Sequence, residues 1–183
     1  MPATSESRRP DAASTDGFAV LDACHRQTLA MLDQLATLLS RLDSVGADAT
    51  AMNSAAAIVK FFASTARQHH EDEERHVFPK LATTGDPHVV QAVLRLQQDH
   101  DWLEEDWMEL SPQLDAIACG QTWFDIDVLK EGAAVFSALS ADHIALEEAL
   151  IYPEARARLG TVERREMGRE MAARRRAVRA GRA

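Results

Sequence analysis

Apolar residues recur at steps of three and four along five stretches of this chain, the spacing that lines one face of a helix. The first stretch, about residues 18 to 42, carries Leu21, His25, Thr28, Leu32, Leu35, Leu39 and Leu42 on one stripe, and Gly46 closes it. The second, about residues 51 to 77, aligns Ile58, Phe62, Ala66, His69, Glu73 and Val77 and is predicted to end at Pro79. A third starts with Asp86 as N-cap and Pro87 at the first helical position; its stripe is Val89, Val93, Leu96, His100, Leu103, Trp107 and Leu110. Pro112 and Gly120 are predicted to break or kink the chain after it. The fourth, about residues 122 to 152, aligns Leu129, Ala133, Phe136, Leu139, His143, Glu147 and Leu150 and is predicted to stop at Pro153. The last, about residues 161 to 179, has only a thin stripe of Val162, Met167, Met171, Ala172 and Val178, and is expected to dock on the others.

Four amphipathic helices joined by short breaks bury their stripes most simply against one another. The expected fold is therefore all-α, an antiparallel up-down-up-down four-helix bundle with an additional C-terminal helix. The predicted organisation is a disordered N-terminal arm over residues 1–17, the bundle over 18–155 and a basic helix or tail over 156–183.

Six residues on these stripes are of the wrong kind for a core: His25, His69, Glu73, His100, His143 and Glu147. An ionised carboxylate left there without a partner costs several kcal/mol. Four of the six come from a phrase that the chain writes twice, His69-x-x-x-Glu73-Glu74 followed by Phe78-Pro79, and His143-x-x-x-Glu147-Glu148 followed by Tyr152-Pro153. Residues at i and i+4 stand one above the other on a helix, so each copy offers one imidazole and one carboxylate to the same point. At roughly 1.5 Å of rise per residue, His25 and the two phrases fall at comparable heights in the bundle, with His100 fitting less tightly. Mixed imidazole and carboxylate donors suit Fe, Mn, Zn or Cu, whereas Ca and Mg favour oxygen. Two such helices facing each other could hold two metal ions.

Over about residues 18–155 the two phrases, with one inward His on each of the other helices, resemble the hemerythrin-like or HHE cation-binding domains. The resemblance implies a four-helix bundle holding a non-haem di-iron centre. His25 and His69 would serve one iron, His100 and His143 the other, and Glu73 and Glu147 would bridge them; Zn or Mn are possible substitutes. One departure stands out. The oxygen-carrying members place a second His one turn after the third-helix ligand, and here that position is Glu104. With four matched His, the three-and-two division of imidazoles is not reproduced. Glu104, His70 or water could fill the gap.

Other residues near the site have plainer readings. Taken singly, His25 or His100 would be a hydrogen-bonded core histidine. Glu74 and Glu148 read as solvated groups or as acceptors for ligand imidazoles. His76 reads as surface, and His70 lies evenly between site and surface. Trp102, Trp107 and Trp123 read as core or groove residues, Tyr152 and Phe78 as an apolar floor, and Cys24 as packing.

Composition narrows the class. With 183 residues, 46% hydrophobic and 27% charged, the chain is one domain able to bury a core, and an aromatic share of 5% favours helices over sheets. The formal charge of −9 is uneven: residues 1–153 carry a net −15 and residues 154–183 a net +6. Arg174, Arg175 and Arg176 are consecutive, but no aromatics interleave and the acidic body would repel phosphate, so nucleic acid is not an expected partner. The better expectation is contact between the Arg-rich helix and the acidic body, or a solvated surface. No run of about 18 apolar residues is present to span a membrane, and the first sixteen residues lack the apolar core of a signal peptide. Two cysteines far apart argue against a disulfide or thiolate site, and the expected location is cytoplasmic.

Three functions follow as candidates. The first is binding or sensing of dioxygen, nitric oxide or iron itself at a non-haem di-iron site. The second is an enzyme that decomposes peroxide or reduces nitric oxide. The third is a bundle whose metal is purely structural. The expected partner in the first two is a small diatomic or peroxide ligand.

Overall fold

The computed structural model describes residues 15–83 and 85–180, so all but the last three residues of the expected N-terminal arm lie outside the described residues. Every regular element among the described residues is helical, with no strand. Helix α1 spans Gly17–Ser44, and the Asp16 carboxylate caps it by accepting the Phe18 N–H at 2.9 Å. Gly46, at φ +92°, turns the chain, and Asp48 caps α2, Ala49–Lys60. α2 runs through one wide π-helical segment, Phe61–Ala66, into α3, Arg67–His76, giving a single rod. A short turn, α4 (Phe78–Leu81), follows.

α5 covers Pro87–Ala118, with Asp86 capping it as expected. It continues unbroken past Pro112, whereas Gly120, the other expected break, does follow its end with φ +70°. That proline is exposed, so the carbonyl it deprives of an amide partner can turn to solvent. α6, Ile126–Leu146, begins only after its cap, Asp125. It continues through a second π-helical segment, Glu147–Ile151, into α7, Tyr152–Arg158. Pro153 therefore does not stop this rod, whereas α3 ends at His76 close to the expected bound and Pro79 lies in the separate short turn that follows. Each occupies a first-turn position, where a missing N–H forfeits no hydrogen bond. α8 spans Thr161–Ala180.

α1 packs on α2 and α6, and α5 packs on the same two, so the four rods close a ring. One apolar cluster joins Leu32, Leu35, Ile58, Phe62, Leu114, Leu129 and Phe136. A second, at the other end, joins Phe18, Leu21, Phe78, Leu96, Ile151 and Tyr152. On the other three rods the inward histidines lie between the two clusters in sequence, and on α1 His25 follows directly on Cys24, the first member of the former cluster. No helix of the described residues is long and apolar enough to cross a membrane.

α8 lies against α1 and α3. Met167 and Met171 of its stripe are buried, while Val162 and Val178 are exposed, because the charged face carries much of the contact. Arg174 and Arg175 both donate to the buried Asp72, Arg175 at 2.6 Å, and His76 meets Glu170 at 2.6 Å. Gly168 allows the closest approach: a Cβ built there would sit 1.9 Å from the Thr15 carbonyl oxygen. Backbone cannot yield as a side chain can, so Gly168→Ala is expected to cost about 1–3 kcal/mol as an overpacking substitution. Thermal unfolding measures it, and an unchanged Tm would contradict this seating of α8.

Candidate metal centre

All six predicted residues converge. His25, His69, Glu73 and Glu147 place ligand-type atoms within 4.8 Å of one another, as do Glu73, His100, His143 and Glu147. The helical period explains how: α3 lifts His69 and Glu73 to one face, and the rod of α6 does the same for His143 and Glu147 across its junction with the π segment.

The two carboxylates belong to both groups, and each turns one oxygen to either side. Glu73 Oε1 lies 3.3 Å from His69 Nε2 and 3.9 Å from His25 Nε2, while its Oε2 lies 3.6 Å from His100 Nε2. Glu147 Oε2 lies 3.0 Å from His25 Nε2, and its Oε1 lies 3.3 Å from His143 Nε2.

A seventh residue joins them. The His70 ring stacks on His100 with centroids 4.1 Å apart, and His70, His100 and His143 form a third convergent group. Glu104 does not: it is more than half exposed and lies 3.5 Å from Arg67 Nη2. Of the groups considered for the gap in the sequence pattern, the imidazole of His70 is the one brought in.

These residues suit a bound cation. Glu73 Oε2, His100 Nε2, His143 Nε2 and both oxygens of Glu147 are buried and have no hydrogen-bond partner in the protein. Stranding so many polar atoms at one point would cost about 1–3 kcal/mol for each. A cation at that point would satisfy them together. Two of the outer ring nitrogens have the acceptor that ligand imidazoles use, whereas Nδ1 of His69 and of His143 have none. His100 Nδ1 meets Glu74 Oε1 at 2.8 Å, and His25 Nδ1 meets Glu148 Oε1 at 3.1 Å. Tyr152 is more than floor, since its hydroxyl donates to Glu73 Oε1 and stands 3.1 Å from His25 Nε2.

The match to known proteins agrees with this geometry. Residues 16–155 match the hemerythrin HHE cation-binding domain. A Haemophilus influenzae protein, described only as uncharacterised, is 34% identical over 156 residues, covering 85% of this chain and 88% of that protein. The chain belongs to the hemerythrin HHE cation-binding family.

This HHE domain holds its ligand set in unusual protonation states. Burial, followed by the charge of Glu147, pushes Glu73 up to about 7. Burial works against a charged His100, but Glu73 and Glu74 outweigh it and raise it to about 9. Burial lowers His69 and His70 well below the ordinary imidazole range, so both are neutral donors. The Cys24 thiol, pushed by burial to about 12, stays protonated and serves packing. A metal must displace the protons on Glu73 and His100. Cation affinity is therefore expected to fall as pH drops through 9 and again through 7, with protons released on loading. Titration calorimetry in two buffers of different ionisation enthalpy would show the release; identical heats would contradict it.

Sequence reasoning missed two buried acids. Asp99 Oδ2 lies 3.7 Å from His143 Nδ1, on the side away from Glu147, and Asp72 is held by α8. Asp99 lies three residues after Leu96 and four before Leu103, and Asp72 three after His69, so both edge the inward stripe, but neither belongs to the repeated phrase that drew attention to the site. Trp102 and Trp123 are 49% and 61% exposed, so only Trp107 joins the core edge expected of all three.

Proposed function

We propose that this HHE domain is a non-haem di-iron protein that binds or senses a small ligand, such as dioxygen, nitric oxide or peroxide, with Zn or Mn able to substitute. His25 and His69 would hold one iron, and His70, His100 and His143 the other. Glu73 and Glu147 would bridge the two. The observation that carries this reading is the two-sided placement of both carboxylates between unequal groups of imidazoles. The iron served by two imidazoles has fewer protein donors and so keeps room for an exogenous ligand. When bound, the pair of irons would supply reversible electron transfer to that ligand.

A cavity of about 300 Å³ reaches His25, His69, His70 and His143. It favours an open site over a purely structural one, which would be closed by its protein ligands. An alternating up-down course of the four rods belongs to the same proposal: α1 and α5 start in the cluster of Phe18 and Leu96, where the other two rods end. A cytoplasmic location fits two free thiols, Cys24 and Cys119.

Anaerobic ferrous loading followed by elemental analysis and visible spectroscopy tests the function. The expected result is two irons per chain, with an absorption band that appears on exposure to oxygen and fades under vacuum. Sustained oxygen release from peroxide would move the assignment to an enzyme. A single tightly held zinc, with no iron uptake, would sink it in favour of a structural site.

A further inference from the structure

The cavity that reaches the histidines is much larger than a diatomic ligand needs. At about 300 Å³ it has room for on the order of ten water-sized groups. An apolar cavity of about 150 Å³ already accommodates benzene in another protein. Its wall is formed by Phe62, Ala66, Leu103, Trp107, Phe136 and Ile144, from the π segment, α5 and α6. Its polar lining includes the imidazoles of His25, His69, His70 and His143 and the exposed pair of Arg67 and Glu104, 3.5 Å apart.

Two hydroxyls, Thr28 and Ser140, also touch the cavity, and that of Ser140 is already taken up by the Phe136 carbonyl at 2.7 Å. At the rim, the exposed Arg67–Glu104 pair is worth little and can part easily, and beside it Met108 leaves 60% of its surface exposed. The wide π turn at Phe61–Ala66 lies beside this opening and supplies part of its wall.

We propose that the cavity binds an organic molecule with an apolar body of about eight to twelve heavy atoms and a single oxygen-donor head group directed at the histidines. The body would lie against the face made by Phe62, Trp107 and Phe136, whose rings pack on one another with centroids 5.0 to 5.9 Å apart. The head would approach the position that the two-imidazole side leaves free. A long polar or multiply charged molecule would leave its polar groups unpaired against this wall and is excluded. The head-group assignment rests on the metal reading given above; occupancy of the wall does not.

The test uses the full chain with and without loaded iron, carrying Trp102→Phe and Trp123→Phe so that Trp107 alone reports. Two probes separate head-group chemistries: 2-phenyl-2-propanol, neutral, and octanoate, anionic. Saturable change of Trp107 fluorescence with at least one probe is expected, weakened about tenfold or more by Ala66→Phe, which fills the wall. Should that variant fold poorly, nuclear Overhauser contacts from the probe to Phe62, Trp107 and Phe136 in the unsubstituted chain decide the matter. No saturable binding, or contacts confined to other residues, would overturn the proposal. Iron content is followed separately. Two irons with no guest binding overturns this proposal and leaves the metal centre standing, whereas guest binding in a chain that takes up no iron supports the cavity occupant and overturns the metal centre.

Discussion

Replacing Glu147 by Ala is expected to empty both of the proposed iron sites at once, while His69→Ala empties chiefly one. The difference follows from geometry. Glu147 places Oε2 3.0 Å from His25 Nε2 and Oε1 3.3 Å from His143 Nε2, so its removal takes a donor from each group. His69 meets only the group of His25 and shares Glu73 Oε1 with it. His70→Ala should act on the other group alone, through His100 and His143. Elemental analysis after anaerobic loading reads the three outcomes directly.

Stability gives an independent check on the same variant. In the metal-free chain Glu73 and Glu147 are both fully buried and each disfavours charge on the other, which is part of why Glu73 is held near 7. Deleting Glu147 removes that repulsion but also strips His143, His25 and His69 of the anion that, against burial, they hold well below the usual carboxylate range, so the metal-free variant should lose stability too. The iron-loaded parent, however, should gain stability over its metal-free form that the variant cannot gain on loading. A variant stabilised by iron as much as the parent would mean that Glu147 serves the fold rather than a cation.

The parts of this centre that could be read from sequence are those that obey the helical period. His69 with Glu73 and His143 with Glu147 each stand four apart, and the same count that places Phe62 and Leu129 in the core places them there. His70 could not be ranked that way, since a neighbour of an inward residue is nominally turned by about a hundred degrees. It enters the site just after the π turn at Phe61–Ala66, where the extra residue per turn changes which side chains face inward. Two prolines misled for a related reason. Pro153 sits at a restart of helical hydrogen bonding rather than at an end, and Pro112 lies on an exposed face, whereas the helix before Pro79 does end where expected. Asp72 was invisible because the groups that make its burial tolerable lie a hundred residues away on α8.

That last contact supports the second large effect. Asp72 is 1% exposed and takes hydrogen bonds from Arg174 and Arg175, each roughly three-quarters buried. Replacing both arginines by Ala leaves an acid buried against α8 without its cations, a change expected to cost about 3–5 kcal/mol. Protonation limits the cost. Burial already raises Asp72 against the lowering effect of Arg175 and then Arg174, so their removal raises it further. A carboxyl whose folded value lies above its unfolded one is favoured in the fold when protonated, and that advantage disappears as pH rises through the folded value. The double variant should therefore be close to the parent in mild acid and fall progressively below it towards neutrality. Adding Asp72→Asn should restore most of the loss at neutral pH, because no charge remains to be neutralised. Urea unfolding of the parent, the double variant and the triple variant, at acid and neutral pH, measures all three. A loss independent of pH, or one that Asp72→Asn leaves untouched, would mean that the arginines act through packing along α1 and α3 rather than through the buried carboxylate.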